Sequence, residues 1–332
     1  MQIDEFIALI PKAELNIHIE GCLSEELVTR FAERNKIILS TPHTIQFTDL
    51  SSFLKIYYAA LQVLLTEEDF YDLGMAYFHK AAMQNIRHAE VSFDPQAHVS
   101  RGVALSTVIK GLTRAVQEAK AKYGISAFLI MCFMRDLSEE EAIKIFEEAL
   151  IFKDHIVAIG LDSTEKGNPP EKFKNLFDLA HAQGFLSVAI AGETGSPDYI
   201  WQALDVLHVS RIGHGVQCMQ DPDLITRLAA KQIPVDVCPI SNVKLGIYPQ
   251  LKQHPLKKMY EDGLCVTLNS DDPAYFDAYL NENYIAANAA LKLNKTIIYE
   301  LAKNSFSASF LDYARQEKLM SELEKVFKQA VS

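Results

Sequence analysis

The chain has 332 residues, 49% of them apolar and 23% charged, and a formal net charge of −11. That balance excludes a disordered or fibrous chain. The acidic surplus argues against nucleic acid and anionic membrane as partners. Met1 to Lys12 carries Asp4 and Glu5 and no cleavage-site pattern, and no apolar run approaches the about eighteen residues of a membrane span. Cys22, Cys132, Cys218, Cys238 and Cys265 are odd in number, irregularly spaced and without a C-x-x-C pair. Reduced thiols in a cytoplasmic protein are therefore expected, not a disulfide framework or a cysteine zinc site.

Short β-rich runs alternate with stretches of helical period. In chain order the predicted strands are Leu15 to Glu20, His88 to Asp94, Ser126 to Met134, Ile156 to Asp162, Phe185 to Ala191, Arg211 to Gly215, Ile233 to Cys238 and Leu264 to Asn269. Several are continuous apolar runs, as strands buried on both faces should be. Ser24 caps a predicted helix through Asn35, and Thr66 with Asp69 forms a capping box opening Glu67 to Met83. Leu137 to Leu150, Pro170 to Gln183, Ser196 to Leu207 and Pro222 to Lys231 supply crossovers. Eight strands with helical crossovers predict the α/β class and a closed (β/α)8 TIM barrel. A doubly wound open sheet is the alternative, but no Gly-rich phosphate loop follows the first strand.

Ser51 to Leu65 and Glu67 to Met83 are too much chain for one crossover. They read as extra packing or, functionally, as an inserted helical lid that dries the barrel mouth. Ile297 to Ser332 reads as a set of C-terminal helices. Without a linker, repeat or low-complexity stretch, residues 1–332 are expected to form a single domain.

Catalytic groups of such barrels sit at the C-terminal ends of the strands. Here strand one ends in Asn16-Ile17-His18-Ile19-Glu20-Gly21 and strand five in Ile190-Ala191-Gly192-Glu193. Strand six ends in Gly213-His214-Gly215, strand seven in Cys238-Pro239-Ile240-Ser241-Asn242, and strand eight in Asn269-Ser270-Asp271-Asp272-Pro273. Each has a bland reading: a lone histidine is more often a hydrogen-bonded core residue, paired aspartates before proline often make a turn, and a glutamate after glycine can cap a helix. Joint placement favours function, since His18, Glu193, His214 and Asp271 would share one cavity. Cys22 and Cys238 are alternative nucleophiles, with inert buried thiols the blander reading.

These strings give the chain a resemblance. P-K-A-E-L-N-I-H-I-E-G at Pro11 to Gly21, S-F-D-P-Q at Ser92 to Gln96, G-L-D-S-T-E at Gly160 to Glu165 and A-G-E at Ala191 to Glu193 match it in the first half. R-I-G-H-G-V at Arg211 to Val216, C-P-I-S-N at Cys238 to Asn242 and N-S-D-D-P-A at Asn269 to Ala274 match it in the second. The chain resembles, over essentially its whole length, the adenosine and adenine deaminases of the amidohydrolase superfamily. S-F-D-P-Q and Asn281-Glu282-Asn283 lie closer to the adenine branch. The resemblance implies hydrolytic removal of a purine 6-amino group and a purine-base-like small-molecule substrate, and it leaves a homodimer open. It also implies zinc, with His18 and Asp271 as ligands, Glu193 as proton shuttle, His214 orienting the water, and Asp272, Gly192, Ser163 and Glu165 at the substrate. In such a site zinc lowers the pKa of its water and a carboxylic acid protonates the ring nitrogen.

The same resemblance exposes departures. The family's first strand-one histidine is Asn16 here, and its strand-five histidine is Ile190. A neutral amide is a poor zinc ligand and a branched hydrocarbon is none, so half a catalytic site remains. Zinc is therefore expected to be absent or weakly bound. Gly213 stands where the adenine branch usually carries Asp, although the adenosine branch has Gly there, and Asp136 where the adenine branch often has His. Changes gathered in one pocket point to selected or deliberate rewiring. Three readings follow: an altered, metal-poor deaminase scaffold, engineered or impaired; a working zinc deaminase with His214 as substitute ligand; or a purine-binding pseudoenzyme.

Overall fold

The computed structural model describes residues 1–38 and 46–331. Its strands are β1 (Lys12–His18), β2 (Ile86–Phe93), β3 (Ser126–Met134), β4 (Ile156–Asp162), β5 (Leu186–Ala191), β6 (Arg211–His214), β7 (Val235–Val237) and β8 (Val266–Leu268). Neighbours pair in chain order and in parallel from β1 to β8. The ring closes where the chain beyond β8 meets β1. His18 N donates to Asp271 O at 3.0 Å, and Asp271 N donates to Asn16 O at 3.1 Å. The (β/α)8 barrel read from the alternation of strands and helices is the fold.

The differences from the expected elements have local causes. β1 begins three residues before Leu15, because Lys12 and Glu14, charged residues that read as loop, are fully buried with partners. Lys12 Nζ donates to Ile7 O at 2.7 Å and Ile10 O at 2.8 Å, while the Glu14 carboxyl accepts from Tyr77 Oη at 2.7 Å and Ser270 Oγ at 2.5 Å. A buried charge is tolerated when its polar atoms are matched in this way. β1 also stops at His18 rather than Glu20, since Ile19 turns helical and Glu20–Cys22 forms a 3-10 turn. β7 and β8 are shorter than predicted at both ends. The crossover between β2 and β3, for which the sequence offers no expectation above, is the amphipathic helix Leu105–Tyr123, burying Leu105, Val108, Ile109, Leu112, Ala115 and Ala119.

The capping signals hold. Ser24 accepts from Leu27 N, and Thr66 and Asp69 exchange side-chain-to-backbone bonds at the start of Glu67–Met83. The helix expected over Ser51 to Leu65 runs from Leu50 to Ala60 with Asp49 as its cap, then continues as the 3-10 turn Leu61–Val63. Helices Lys295–Ser307 and Tyr313–Val331 close the chain; Ser332, the last residue of the expected cap, lies outside the described residues. Among the described residues, no helix is long and apolar enough to cross a membrane.

Inside the barrel, beneath the mouth, the buried Arg211 ties the strands together. Its guanidinium pairs with Glu90 of β2 at 2.7 Å and with Asp236 of β7, and it donates to Leu15 O at 3.2 Å and Ala308 O at 3.0 Å. This plug leaves the opposite, C-terminal end of the barrel as the place for an open cavity.

Candidate active site

The mouth is assembled from strand ends whose backbone is bent to aim the side chains. Ser163 after β4, His214 at the end of β6 and Asp271 after β8 have φ of 70°, 60° and 66°. Left-handed backbone at non-glycine residues costs energy and persists mostly where function requires it. His18, Ile190, Glu193, His214, Asp271 and Asp272 line one cavity of about 400 Å³, together with Asp94, Asp162 and Ser163. Phe53, Leu54, Tyr57 and Tyr58 from Leu50–Ala60 roof it, so this helix covers the mouth as the lid reading expects. Asn16 is the exception to the expected convergence. It lines a deeper cavity with His18, Ile190 and Gly213, and its Nδ2 donates to Asp236 O at 3.3 Å.

Glu193 is delivered by a loop that another carboxylate builds. The buried Glu165 accepts the backbone N–H groups of Gly192 at 2.5 Å, Glu193 at 3.1 Å, Thr194 at 2.7 Å and Gly195 at 2.7 Å. Glu165, expected beside the substrate, is thus spent on positioning the loop. Gly192 is the turn residue there, with φ of 71°, and a side chain at that position would collide with Ile200 at 2.4 Å. Neither residue is among those lining the cavity. Arg135 fixes the preceding strand end, donating from Nη1 to Ile190 O at 2.6 Å. Asp136, the other atypical position, is exposed on the turn after β3 and lies outside the cavity lining.

The ionisable groups form a connected set. His214 Nδ1 lies 3.6 Å from Glu193 Oε1, and its Nε2 lies 3.7 Å from Asp271 Oδ2. Ser241 Oγ donates to Asp271 Oδ2 at 2.6 Å. His18 Nε2 faces Asp271 Oδ1 at 3.9 Å while its Nδ1 faces Asp162 Oδ2 at 3.6 Å. Burial pushes Glu193 up to about 7, the right region for a proton donor at neutral pH. Burial alone would lower His214, but the Glu193 and Asp271 carboxylates outweigh it and hold the ring at about 9. Burial, reinforced by the neighbouring Asp271, raises Asp272 well above the carboxylate range. Burial would raise Asp271 too, but the His214 charge beside it keeps it low and ionised. Burial lifts the Cys22 and Cys238 thiols well above their ordinary value, so both are poor nucleophiles.

Asn242, His254, Asp94 and Asp162 go beyond the expected site residues. The side-chain amide of Asn242 stands between two rings, 3.1 Å from Nδ1 of His214 and 3.0 Å from Nε2 of His254, and so packs against the His214 ring. Asp94 and Asp162 end strands two and four, where the strand-end rule that found His18 and Asp271 also points.

The donor set at the strand one, five and eight position does not fit a tightly held zinc ion. The Asn16 amide is engaged with the Asp236 carbonyl, and Ile190 puts hydrocarbon in the wall. Among the described residues, the ligand atoms that gather within 4.8 Å of one another belong to two trios, His214–Cys238–Asp271 and His18–Asp94–Asp162. His18 and Asp271, the two ligand positions that the resemblance implies, fall in different trios.

Comparison with known proteins agrees with this architecture. The profile of the adenosine deaminase family, described as "Adenosine deaminase", matches residues 11–326. The chain is 52% identical over 321 residues to an adenine deaminase of Chlorobium phaeobacteroides, covering 95% of this chain and 96% of that one. It is 53% identical over 319 residues to an adenine deaminase of Crocosphaera subtropica, covering 94% and 98%. The crystal structure of an adenine deaminase from Arthrobacter aurescens superposes with a TM-score of 0.95 at 45% identity, covering 96% of this chain and 99% of that one. An amidohydrolase of Burkholderia ambifaria, solved with bound zinc, superposes with a TM-score of 0.91 at 25% identity, covering 98% and 93%.

Proposed function

The chain belongs to the adenosine deaminase family, and on that footing we propose that it takes an adenine-like purine base at the barrel mouth but hydrolyses the 6-amino group weakly or not at all. One observation carries this reading. Ile190, on a strand whose neighbours are in register, stands in the cavity wall beside His18 and Asp271, so hydrocarbon occupies the place of an imidazole. Zinc at the family position is accordingly absent or loosely held, and the water facing the base keeps a pKa of about 15.7.

The rest of the machinery supports a retained purine site. Glu193, near neutrality in its pKa, is placed to give a proton to a ring nitrogen; His214, held cationic, orients water or a developing negative charge; Asp272 and Ser163 line the space for the base. The resemblance to adenine deaminases at about half identity supports a base rather than a nucleotide as the ligand. His214 gathers with Asp271 and Cys238, but its ligand atoms and those of His18 sit in separate trios, so His18, Asp271 and His214 do not form one substitute zinc site. The experiment is calorimetric titration with adenine and hypoxanthine alongside an adenine turnover assay. Binding with little turnover supports the proposal; no binding of any purine base, or rapid turnover, refutes it.

A further inference from the structure

We infer that His18, Asp94 and Asp162 form a binding site for one divalent first-row cation, on the side of the mouth where β1, β2 and β4 end. The site shares His18 with the position that strands one, five and eight would give a zinc ion, but takes both carboxylates from the ends of β2 and β4.

Geometry is the first support. One ligand atom from each of the three residues lies within 4.8 Å of the other two, and all three residues are buried. His18 Nδ1 and Asp162 Oδ2 stand 3.6 Å apart. That is too long for a hydrogen bond. Two ligands each about 2.1 Å from a common ion at a tetrahedral angle would stand about 3.4 Å apart.

The second support is an unmet need. Asp162 is only 3% exposed, and neither its carboxyl oxygens nor Asp94 Oδ1 has a well-formed hydrogen bond; the two carboxyls face each other, with the Cys132 thiol the nearest weak donor. Buried polar atoms in native proteins are nearly always matched, and an unmatched carboxylate is the costliest kind to leave so. Among the described residues lining the cavity there is no lysine or arginine. Nearest the trio stand Glu20, whose Oε1 already takes Asp94 N at 3.0 Å and His98 Nε2 at 2.8 Å, and Tyr58, which donates to Asp94 Oδ2 at 3.3 Å; the Arg135 guanidinium acts on Asp162 from outside the cavity lining. A cation would satisfy both aspartates at once.

The other trio lacks this need. Asp271 accepts from Ser241 and faces the cationic His214, and the Cys238 thiol is kept protonated by burial. One imidazole and two carboxylates form a harder donor set than the family's imidazole-rich one, and suit manganese or ferrous iron as well as zinc.

The test is a titration of the chelator-treated full chain with Mn2+, read as loss of the electron paramagnetic resonance signal of free Mn2+. The expected result is one Mn2+ per chain, weakened at least about tenfold by Asp162→Asn and by Asp94→Asn, while Cys238→Ser leaves it unchanged. Thermal melts run beside it should show Mn2+ stabilising the parent and not the Asp variants; if Asp162→Asn does not fold, Asp94→Asn carries both readouts. Absence of binding overturns the inference and leaves a shared proton as what the carboxyls hold. Binding that survives both Asp variants but is lost in Cys238→Ser or Asp271→Asn overturns it in favour of the other trio or the family position. The titration contains no purine, so its outcome and that of the purine assays are independent.

Discussion

Ile190 of β5 and Gly213 of β6 are register partners, and the isoleucine fills the space that a side chain at position 213 would need. A Cβ on Gly213 would stand 3.1 Å from Ile190 Cγ1, 3.3 Å from Ile190 Cα and 3.5 Å from Asn16 Nδ2. Asn16, Ile190 and Gly213 are therefore one packed unit: no imidazole at 16, none at 190, and at 213 no side chain to crowd the branched residue.

Gly213→Ala should accordingly destabilise the chain by about 1–2 kcal/mol through overpacking. In an Ile190→Ala background the same change should cost less, because the opposing Cγ1 at 3.1 Å is gone, although the Cα at 3.3 Å remains. Denaturant unfolding of the two singles and the double measures the coupling, and additive costs would show that the two positions are packed independently.

Restoring Asn16→His and Ile190→His together should rebuild the family zinc site. Residues 16 and 18 lie two apart on β1 and so point to the same side of the strand. His18 and Asp271 remain, and Glu193 and His214 already face Asp271's surroundings. Each single change should recover much less zinc than the pair, since a site short of ligands binds poorly and misplaces its hydroxide. Zinc content by elemental analysis and adenine turnover of both singles and the double check this. A double mutant that folds and holds no zinc would contradict the placement of residues 16 and 190.

Stability should fall as pH rises from about 4.5 to about 7, where the raised Glu14, Glu20 and Glu193 carboxyls lose their protons; above 7 the buried Lys12, lowered to about 7, offsets the loss from His214. The folded Glu193 titrates near 7 against an ordinary 4.5, so between those values the folded chain holds a proton that the unfolded chain has lost. Its contribution is present below 4.5 and lost as pH climbs through 7, on the order of 3 kcal/mol. His214, raised from 6.5 to about 9, adds stability below 6.5 that is lost as pH climbs through 9. Glu193→Gln should flatten the lower limb, and it should also bring the His214 limb to lower pH by removing a carboxylate beside the ring. Melting temperatures of parent and variant from pH 4.5 to 7.5 test the sign; a stability that rises over this range contradicts it.

Glu165→Gln should destabilise by about 3 kcal/mol, because the carboxylate receives four backbone N–H groups from Gly192 to Gly195 and an amide oxygen cannot replace both of its oxygens. It should also loosen Glu193 and shift its titration, which a merely local loss of stability would not do. Chemical denaturation and the pH-stability profile of the variant measure the two effects.

Much of this was legible in the sequence because two rules acted together. Continuous apolar runs marked the buried strands, with Ser126–Met134 and Ile156–Asp162 predicted at both ends, and strand-end polar groups marked the mouth. What escaped was long-range. Lys12 and Glu14 look like loop until their buried partners Ile7, Tyr77 and Ser270 are known. Glu165 looks like a substrate group until the backbone it holds is seen. Asp94 and Asp162 sit at strand ends as His18 and Asp271 do, but nothing in their local sequence says that they face each other beside His18. The Asn242–His254 contact joins residues twelve apart through a turn that side-chain patterning does not register.

The most direct test of the central claim is the adenine turnover number of the purified chain supplied with excess zinc. Loss of two ligands predicts a rate well below the range of roughly 1 to 1000 per second typical of enzymes, rising sharply only in the Asn16→His, Ile190→His double mutant. A turnover within that range for the unaltered chain would contradict the account, showing that the site as it stands activates water without the two imidazoles.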